Sequence, residues 1–337
     1  MMSYYSIRWE DDYLSMLDQT LLPGEEKYLK LTDYNDVIEA IKRLSVRGAP
    51  AIGVSAAYAV VLAAIQSSNI LDFVKAMDLI ERARPTAVNL KWAVDRMRRI
   101  LDGRDVDSPA DLAEILLEEA HAIYEEDVVM CERIGKNGNE LINDGTTILT
   151  HCNAGALATA GMGTALAPIF TANSAGKKIT VFSDETRPLL QGARLTMWEL
   201  IKQGIDCQLV CDSTAAYLMS RGAVDMVIVG ADRIARNGDV ANKIGTLSVA
   251  NNANRFGVKF YVAAPSSTYD PATPSGSEIE IEERDPDEVT SIGGKRIAPE
   301  GAKVFAPAFD ITPADQITGI ITEEGVHLPN DLVDVFA

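Results

Sequence analysis

The feature that most constrains the fold of this chain is the alternation of short apolar runs with helical segments after residue 146. Five apolar runs are predicted as strands, at residues 148–150, 179–182, 207–210, 226–230 and 259–263. Most are separated by predicted helices, over residues 155–175, 189–203, 214–221 and 243–256. This spacing is typical of right-handed βαβ units, so we predict an α/β fold with a parallel, Rossmann-like sheet. No GxGxxG follows the first strand, so the pattern does not indicate a dinucleotide.

Polar or reactive residues follow each of these predicted strands. Cys152 follows the first, and the loops after the next three contain Asp184, Asp212 and Asp232. Ligands of open parallel sheets bind outside the carboxyl ends of the strands. We therefore expect these four side chains around one crevice. Asp212 precedes Ser213 and a predicted helix, and we interpret it as a helix cap.

Cys152 has two interpretations that its position alone does not separate. It follows a β-branched, apolar strand and precedes a small-residue segment predicted as a helix, which favours a reactive thiol at a helix N-terminus. Free cysteines are also among the most buried residues, so a structural core thiol remains open. The other cysteines, Cys131, Cys207 and Cys211, are interpreted as packing residues. With three histidines in the chain and no zinc-type spacing, we expect no metal and no cofactor.

The N-terminal part has a different pattern. Residues 1–30 alternate and predict a small antiparallel sheet, whereas the following residues predict helices. We therefore divide the chain into a mostly helical N-terminal domain, 1–130, and a Rossmann-like catalytic domain, 131–337. The longest apolar run, residues 49–65, contains Pro50 and is slightly short for a membrane span, so we predict a buried core helix.

The start of that helix has the composition of an anion site. Arg47 and Gly48 precede Ala49 and Pro50, which combines a guanidinium, a backbone that allows close approach and free N–H groups at a positive helix end. A plain helix start with a solvated arginine is the alternative. Arg84, before Pro85 at a predicted helix break, either points into a cleft or lies on the surface.

Two further segments suggest ligand contacts. After an Asn-Gly turn, Asn242 and Lys243 are predicted to begin a helix, where a lysine opposes the helix dipole and so indicates a ligand. Gln191 opens the preceding predicted helix, over residues 189–203, in the same way. The long polar segment 265–300 is interpreted as a functional lid or a packed arm.

Composition limits the class of partner. The net charge of -18 and the absence of a long basic run argue against nucleic acid or an anionic membrane surface. An anionic small molecule is not excluded, because it needs only local cations and N–H groups. The polar, acidic N-terminus predicts no signal peptide, and four unpatterned cysteines indicate a reduced, cytoplasmic protein.

Several long motifs occur in order along nearly the whole chain. They are RGAPAIG (47–53), RPTAVNL (84–90), HCNAG (151–155), LQGARLT (190–196), GADRI (230–234), NKIGT (242–246), IEERD (281–285) and GGKRIAPEG (293–301). With these motifs the chain resembles the methylthioribose-1-phosphate isomerase family, within the initiation-factor-2B-like superfamily. Lys91 and Leu247 are small departures that leave a related substrate open.

The resemblance implies a homodimeric aldose–ketose isomerase of methionine salvage, which converts methylthioribose 1-phosphate to methylthioribulose 1-phosphate. It implies that Cys152 and Asp232 are the catalytic pair. By the same resemblance the substrate is held by Arg47, Gly48, Ala49, Arg84, Gln191, Asn242 and Lys243. We hypothesise that Asp232, in a dry pocket, protonates the ring oxygen and that Cys152 takes the C2 proton. A hydride shift assisted by both residues is the competing route.

Two other functions are weighed against this one. A regulatory subunit of the initiation-factor-2B kind need not carry both Cys152 and Asp232 at strand ends. A sister isomerase acting on ribose 1,5-bisphosphate would need a second cationic cluster, whereas the chain shows only the set Arg47, Arg84 and Lys243. The 5-deoxyribose 1-phosphate isomerase remains open, since that sugar lacks only the methylthio group.

Overall fold

The computed structural model describes residues 2–84, 88–102, 104 and 108–336, and the chain divides into two compact units. The first consists of Met1–Cys131 with Gly155–Gly163, and the second of Glu132–Ala154 with Thr164–Ala337. The sequence-based division into 1–130 and 131–337 does not anticipate the return of residues 155–163 to the first unit.

The first unit contains a small antiparallel sheet and a group of helices, as predicted. Its strands are β1 (Ile7–Glu10), β2 (Tyr13–Leu17) and β3 (Tyr28–Leu31), paired in that order. Its helices are α1 (Tyr34–Lys42), α2 (Ala49–Gln66), α3 (Ile70–Glu81), α4 (Val88–Arg98) and α5 (Ala113–Asn139), the last of which continues into the second unit. Asp33 caps α1 by accepting a hydrogen bond from the Asn35 N–H at 2.8 Å.

Helix α2 forms the centre of the first core. It is the one described helix that is long and apolar enough to cross a membrane, but most of it is buried inside the protein. A helix that is apolar all round is expected in a core, and α2 packs among α1, α3 and α4. The predicted core helix is thus confirmed, and it begins at Ala49 directly after Gly48.

The second unit is built on a seven-stranded sheet. Its strands are β4 (Thr147–Thr150), β5 (Thr180–Asp184), β6 (Asp206–Val210), β7 (Met226–Val229), β10 (Lys259–Ala263), β15 (Gly319–Thr322) and β16 (Gly325–His327). Their order is β16-β15-β10-β7-β4-β5-β6, and within this sheet, as far as it is described, only the β15–β16 pair is antiparallel. The predicted α/β fold with a parallel sheet is confirmed, because all five predicted strands pair in parallel.

Helices and two smaller, separate sheets complete the second unit as far as it is described. The helices are α6 (Leu166–Ser174), α7 (Met197–Lys202), α8 (Thr214–Ser220), α9 (Thr246–Phe256), α10 (Pro286–Thr290) and α11 (Leu332–Val335). The remaining strands are β8 (Arg233–Ala235), β9 (Val240–Lys243), β11 (Tyr269–Asp270), β12 (Ser291–Ile292), β13 (Lys295–Arg296) and β14 (Phe309–Thr312). They form a sheet of order β11-β8-β9-β14 and the pair β12–β13.

Two predicted helices begin too early. Residues 155–163 contain a short 3₁₀ turn and a bridge between Gly155 and Gly163, and α6 begins only at Leu166. Residues 242 and 243 belong to β9, because the hairpin from β8 continues through them and pairs again with β14. In both places tertiary pairing overrides a composition that fits a helix.

The cysteines outside the strand end differ in their surroundings. Cys131 is buried and burial raises the pKa of its thiol, as expected of a packing residue. Cys207 is half-buried on β6, and Cys211 is exposed. The packing interpretation is therefore wrong for Cys211, since it follows the edge strand of the sheet.

Candidate functional site

The backbone of Cys152 is held on both sides at the carboxyl end of β4. Its φ of +66° is uncommon for a residue with a side chain. Its N–H donates to Thr186 Oγ1 at 2.8 Å, and its carbonyl accepts from Thr196 Oγ1 at 2.6 Å. Such over-determined backbone strain is common at functional sites. The half-buried Cys152 therefore differs from a core thiol.

The expected helix N-terminus at Cys152 is not present. The next α-helix begins at Leu166, and residues 155–163 belong to the first unit. Among the described residues, no α-helix begins directly after Cys152 that could favour a thiolate there. The prediction of a helix-stabilised Cys152 is wrong, although its place at a strand end is right.

Thr196 lies in a single π-helical turn, Gly192–Thr196, which precedes α7. Its hydroxyl also accepts from Asn153 Nδ2 at 3.1 Å, and the same amide donates to the buried Glu199 at 2.7 Å. π-Helical turns are rare and recur at functional sites. Thr186 and Thr196 are not among the residues predicted from the sequence, although Thr196 ends the LQGARLT motif.

A buried pair of polar side chains lies beside Cys152. His151 Nδ1 is 3.0 Å from Asp184 Oδ2, and both side chains are almost fully buried. Asp212 accepts the N–H groups of Thr186 and Arg187, each at 2.7 Å. The helix-cap interpretation of Asp212 is thus wrong, because Asp212 fixes the loop after β5. The predicted convergence of the strand ends is seen for Cys152, Asp184 and Asp212.

The nearest arrangement to a metal site is also at this edge. Among the described residues, His151, Asp184 and Asp212 each offer a ligand atom within 4.8 Å of the others. However, both ring nitrogens of His151 and both oxygens of Asp212 already have protein partners. Asp184 Oδ2 contacts His151, whereas Asp184 Oδ1 is buried and has no hydrogen-bond partner among the described residues.

Asp232 follows β7 at the start of the β8–β9 hairpin. Its N–H donates to the Ala241 carbonyl at 2.9 Å, which fixes its backbone against β9. The residue is exposed, so the predicted dry pocket around it is wrong for the chain alone.

Asn242 and Lys243 lie at the end of β9. Asn242 is buried and donates to Thr246 Oγ1 at 3.0 Å. Lys243 Nζ donates to the Ala308 carbonyl at 3.0 Å and lies 4.6 Å from the centre of the Phe309 ring. Their predicted place at a helix N-terminus is wrong, so no opposed helix dipole indicates a ligand at Lys243.

Gln191 is the residue whose surroundings most clearly indicate a ligand. It immediately precedes the π-helical turn and is 2% exposed. Within the described part of the chain, neither its Oε1 nor its Nε2 has a hydrogen-bond partner. Because a buried unsatisfied amide costs about 1–3 kcal/mol, such a group is expected where a polar ligand completes it.

The remaining predicted residues belong to the first unit. Gly48 precedes α2 with a φ of +83°, and a Cβ there would lie 2.2 Å from the Ala158 carbonyl oxygen. Glycine is therefore required at this turn. Arg47 and Ala49 flank it and are half-buried, at a helix start with free N–H groups.

Arg84 follows α3 and is half-buried. Pro85, at the predicted helix break, lies outside the described residues. The structure thus places Arg47, Gly48, Ala49 and Arg84 in the first unit, and Cys152, Gln191, Asp232, Asn242 and Lys243 in the second.

Comparisons with known proteins give these features a context. A sequence model of the Initiation factor 2 subunit family matches residues 45–329. The methylthioribose-1-phosphate isomerase of Desulforamulus reducens is 54% identical over 330 residues, which cover 96% of this chain and 95% of that protein.

Solved structures agree with this match. The 5-methylthioribose 1-phosphate isomerase of Pyrococcus horikoshii OT3 superposes with a TM-score of 0.92 at 42% identity, covering 98% of this chain and 96% of that one. A protein of A. fulgidus described as the delta subunit of translation initiation factor eIF-2B gives 0.89 at 43% identity, covering 99% and 98%. The chain therefore belongs to the initiation factor 2 subunit family and, within it, to the methylthioribose-1-phosphate isomerases, as its motifs predict.

Proposed function

We propose that this chain is an aldose–ketose isomerase that converts 5-methylthioribose 1-phosphate to 5-methylthioribulose 1-phosphate in methionine salvage. The observation that carries the proposal is 54% identity to an isomerase of that name along 96% of the chain. The unsatisfied amide of the buried Gln191 supports a small polar ligand at the strand ends.

The substrate sets the chemical problem. Its C1 oxygen carries phosphate, so the sugar cannot open by losing a hydroxyl proton. The ring oxygen must instead be protonated as its bond to C1 breaks. Hydrogen then moves from C2 to C1, and C2 becomes the ketone. The reaction has no net oxidation and therefore requires no redox cofactor.

We assign the two catalytic roles to the strand-end residues. Asp232 protonates the ring oxygen, and Cys152 takes the C2 proton, or both assist a hydride shift. The hydrogen bonds that Cys152 donates to Thr186 and accepts from Thr196 support this assignment, because they fix the backbone that aims its side chain. The exposure of Asp232 means that substrate itself must exclude water from the acid.

The binding roles follow the chemistry of each group. Arg47, Gly48 and Ala49 offer a guanidinium and the free N–H groups of α2 to the phosphate. We assign Gln191, Asn242, Lys243 and Arg84 to the same substrate. A homodimer in the cytoplasm completes the proposal.

One observation favours a second candidate. The A. fulgidus protein described as an eIF-2B delta subunit is 43% identical to this chain over nearly its full length. A regulatory subunit would bind protein partners and turn over no sugar. Enzymatic turnover therefore separates the two functions.

The test is a turnover assay on three sugar phosphates: methylthioribose 1-phosphate, 5-deoxyribose 1-phosphate and ribose 1,5-bisphosphate. We expect the highest kcat/KM on the first, and a fall of at least about 100-fold in kcat for Cys152→Ser and Asp232→Asn. Cys211→Ser and Asp315→Asn, both at exposed positions, serve as matched controls that retain activity. No turnover of any of the three sugars would overturn the proposed function. Full activity in both strand-end variants would overturn the assigned site.

A further inference from the structure

His151 uses both ring nitrogens although it is only 2% exposed. Nε2 is 2.9 Å from the Ile244 carbonyl oxygen, and Nδ1 is 3.0 Å from Asp184 Oδ2. A carbonyl oxygen can only accept, so Nε2 must carry a proton. The contact with Ile244 thus fixes the protonation of Nε2.

The other ring nitrogen, Nδ1, faces Asp184. Burial lowers the pKa of His151, but the Asp184 carboxylate, the Ile244 carbonyl and Asp212 outweigh it and raise the pKa overall. Burial raises the pKa of Asp184, and His151 opposes that rise. An unprotonated ring nitrogen and a carboxylate are both acceptors, so the 3.0 Å contact requires a proton between Nδ1 and Asp184 Oδ2. Asp310 is a third carboxylate that interacts with the ring.

The ring of His151 packs against the turn that joins β9 to α9. Gly245, in that turn, has a φ of +105°, and a Cβ there would lie 2.8 Å from His151 Cε1. Asp310 also contacts this turn, where it accepts the N–H groups of Gly245 at 2.8 Å and Leu247 at 3.0 Å. The turn is thus held by an imidazole and a carboxylate.

We propose that His151 is a positioning residue, which holds the Lys243–Gly245 turn against the strand end that carries Cys152. The chain itself supplies the connection, because Cys152 follows His151 and Lys243 precedes Ile244. His151 exchanges no proton with substrate. The inference rests on the proposed function, in which Asn242 and Lys243 bind substrate and Cys152 reacts.

Two amide variants separate the contacts of the two nitrogens. His151→Gln places an amide N–H near the position of Nε2, whereas His151→Asn places its amide near Nδ1, beyond reach of Ile244. We expect His151→Gln to stay within about threefold of the wild-type kcat/KM, and His151→Asn to lose about tenfold or more, mainly through KM. The pH–rate profile of His151→Gln should keep both limbs.

Two kinetic results would overturn the positioning role. One is equal activity of the Asn and Gln variants. The other is loss of one limb of the pH–rate profile in His151→Gln, which would make His151 an acid or base.

A spectroscopic measurement decides independently of turnover. The chain has three histidines, so the His151 signal in an ¹⁵N-histidine NMR spectrum is the one absent in His151→Gln. We expect its Nε2 to remain protonated from about pH 6 to about pH 9. A spectrum with Nε2 deprotonated overturns the proposal. If the wild type turned over none of the three sugars, the proposed function would fail, while the protonation of Nε2 would still test the role of His151.

Discussion

Asp127 shows how a single buried carboxylate supports the first unit. It lies on α5, is 5% exposed and accepts the Ala160 N–H at 2.6 Å. Burial raises its pKa to about 6, against the lowering effect of the N–H groups of Ala160 and Gly161. Ala160 and Gly161 belong to the segment Gly155–Gly163, which follows Cys152 in the sequence but lies in the first unit.

The raised pKa of Asp127 predicts how stability depends on pH. The folded state binds this proton more tightly than the unfolded state, whose carboxyl titrates near 3.8. The free energy of unfolding of the wild type should therefore fall, relative to Asp127→Asn, as pH rises from about 4 to about 6, and the difference should then level off. Urea unfolding of both proteins across this range measures it.

The control for this prediction is Glu132→Gln, which removes an exposed carboxylate from the same helix. Its unfolding free energy should follow that of the wild type at every pH. Parallel curves for the wild type and Asp127→Asn would show that Asp127 holds its proton no more tightly in the folded chain.

Only some of the residues that form the strand end and its supports could be predicted from the sequence. Cys152 and Asp184 could be placed because they follow predicted strands, and the ends of parallel strands meet at one edge. Thr186 and Thr196 could not, because their role depends on the backbone torsion of Cys152. Asp127 lies on a long polar helix, and its burial depends on a loop distant in sequence.

Among the elements, the π-helical turn Gly192–Thr196 has the most direct effect on the strand end. It directs the Thr196 hydroxyl to the Cys152 carbonyl, and Asn153 donates to the same hydroxyl. Thr196→Val keeps the shape of the side chain but removes the hydroxyl that contacts the Cys152 carbonyl and the Asn153 amide. We expect a loss of about 1–3 kcal/mol in stability and a fall in kcat of about tenfold.

Chemical unfolding and steady-state kinetics test this expectation. The matched control is Thr180→Val on β5, whose hydroxyl donates to Asp206 in an exposed hydrogen bond. It should change stability by less than about 0.5 kcal/mol and leave kcat unchanged. An equal effect of the two substitutions would show that the π-helical turn does not position Cys152.

The strands were easier to predict than the helices around them. β7 and β10 are buried along nearly their whole length, so they appear as almost continuous apolar runs. Residues 155–163 are as rich in alanine and glycine as a packed helix, yet they form a loop. Their composition fits both structures, and only tertiary contacts decide between them.

At the scale of the whole molecule, the chain passes between its two units three times. The second passage comes just before residues 155–163 and the third just after them. The bridge between Gly155 and Gly163 brings the ends of this segment together. Leu157 and Ala160 are buried within it, so they need the first unit around them.

A fragment test follows from this path. Residues 132–337 expressed alone should be poorly soluble and should bind a hydrophobic dye, because the apolar side chains of residues 155–163 lack their partners. Replacing that segment with a short glycine–serine turn should raise soluble yield and reduce dye binding. Equal yield and dye binding of the two fragments would contradict the assignment of the segment to the first unit.

The same path has a consequence during synthesis on the ribosome. The Leu157 carbonyl accepts hydrogen bonds from Ser6 and Gln19, which are separated from it by 151 and 138 positions. The first unit therefore cannot complete its structure when only Met1–Cys131 has emerged. It must wait until β4 and the residues after Cys152 have left the exit tunnel. The first half of this enzyme to be translated thus finishes folding only after the second half has begun.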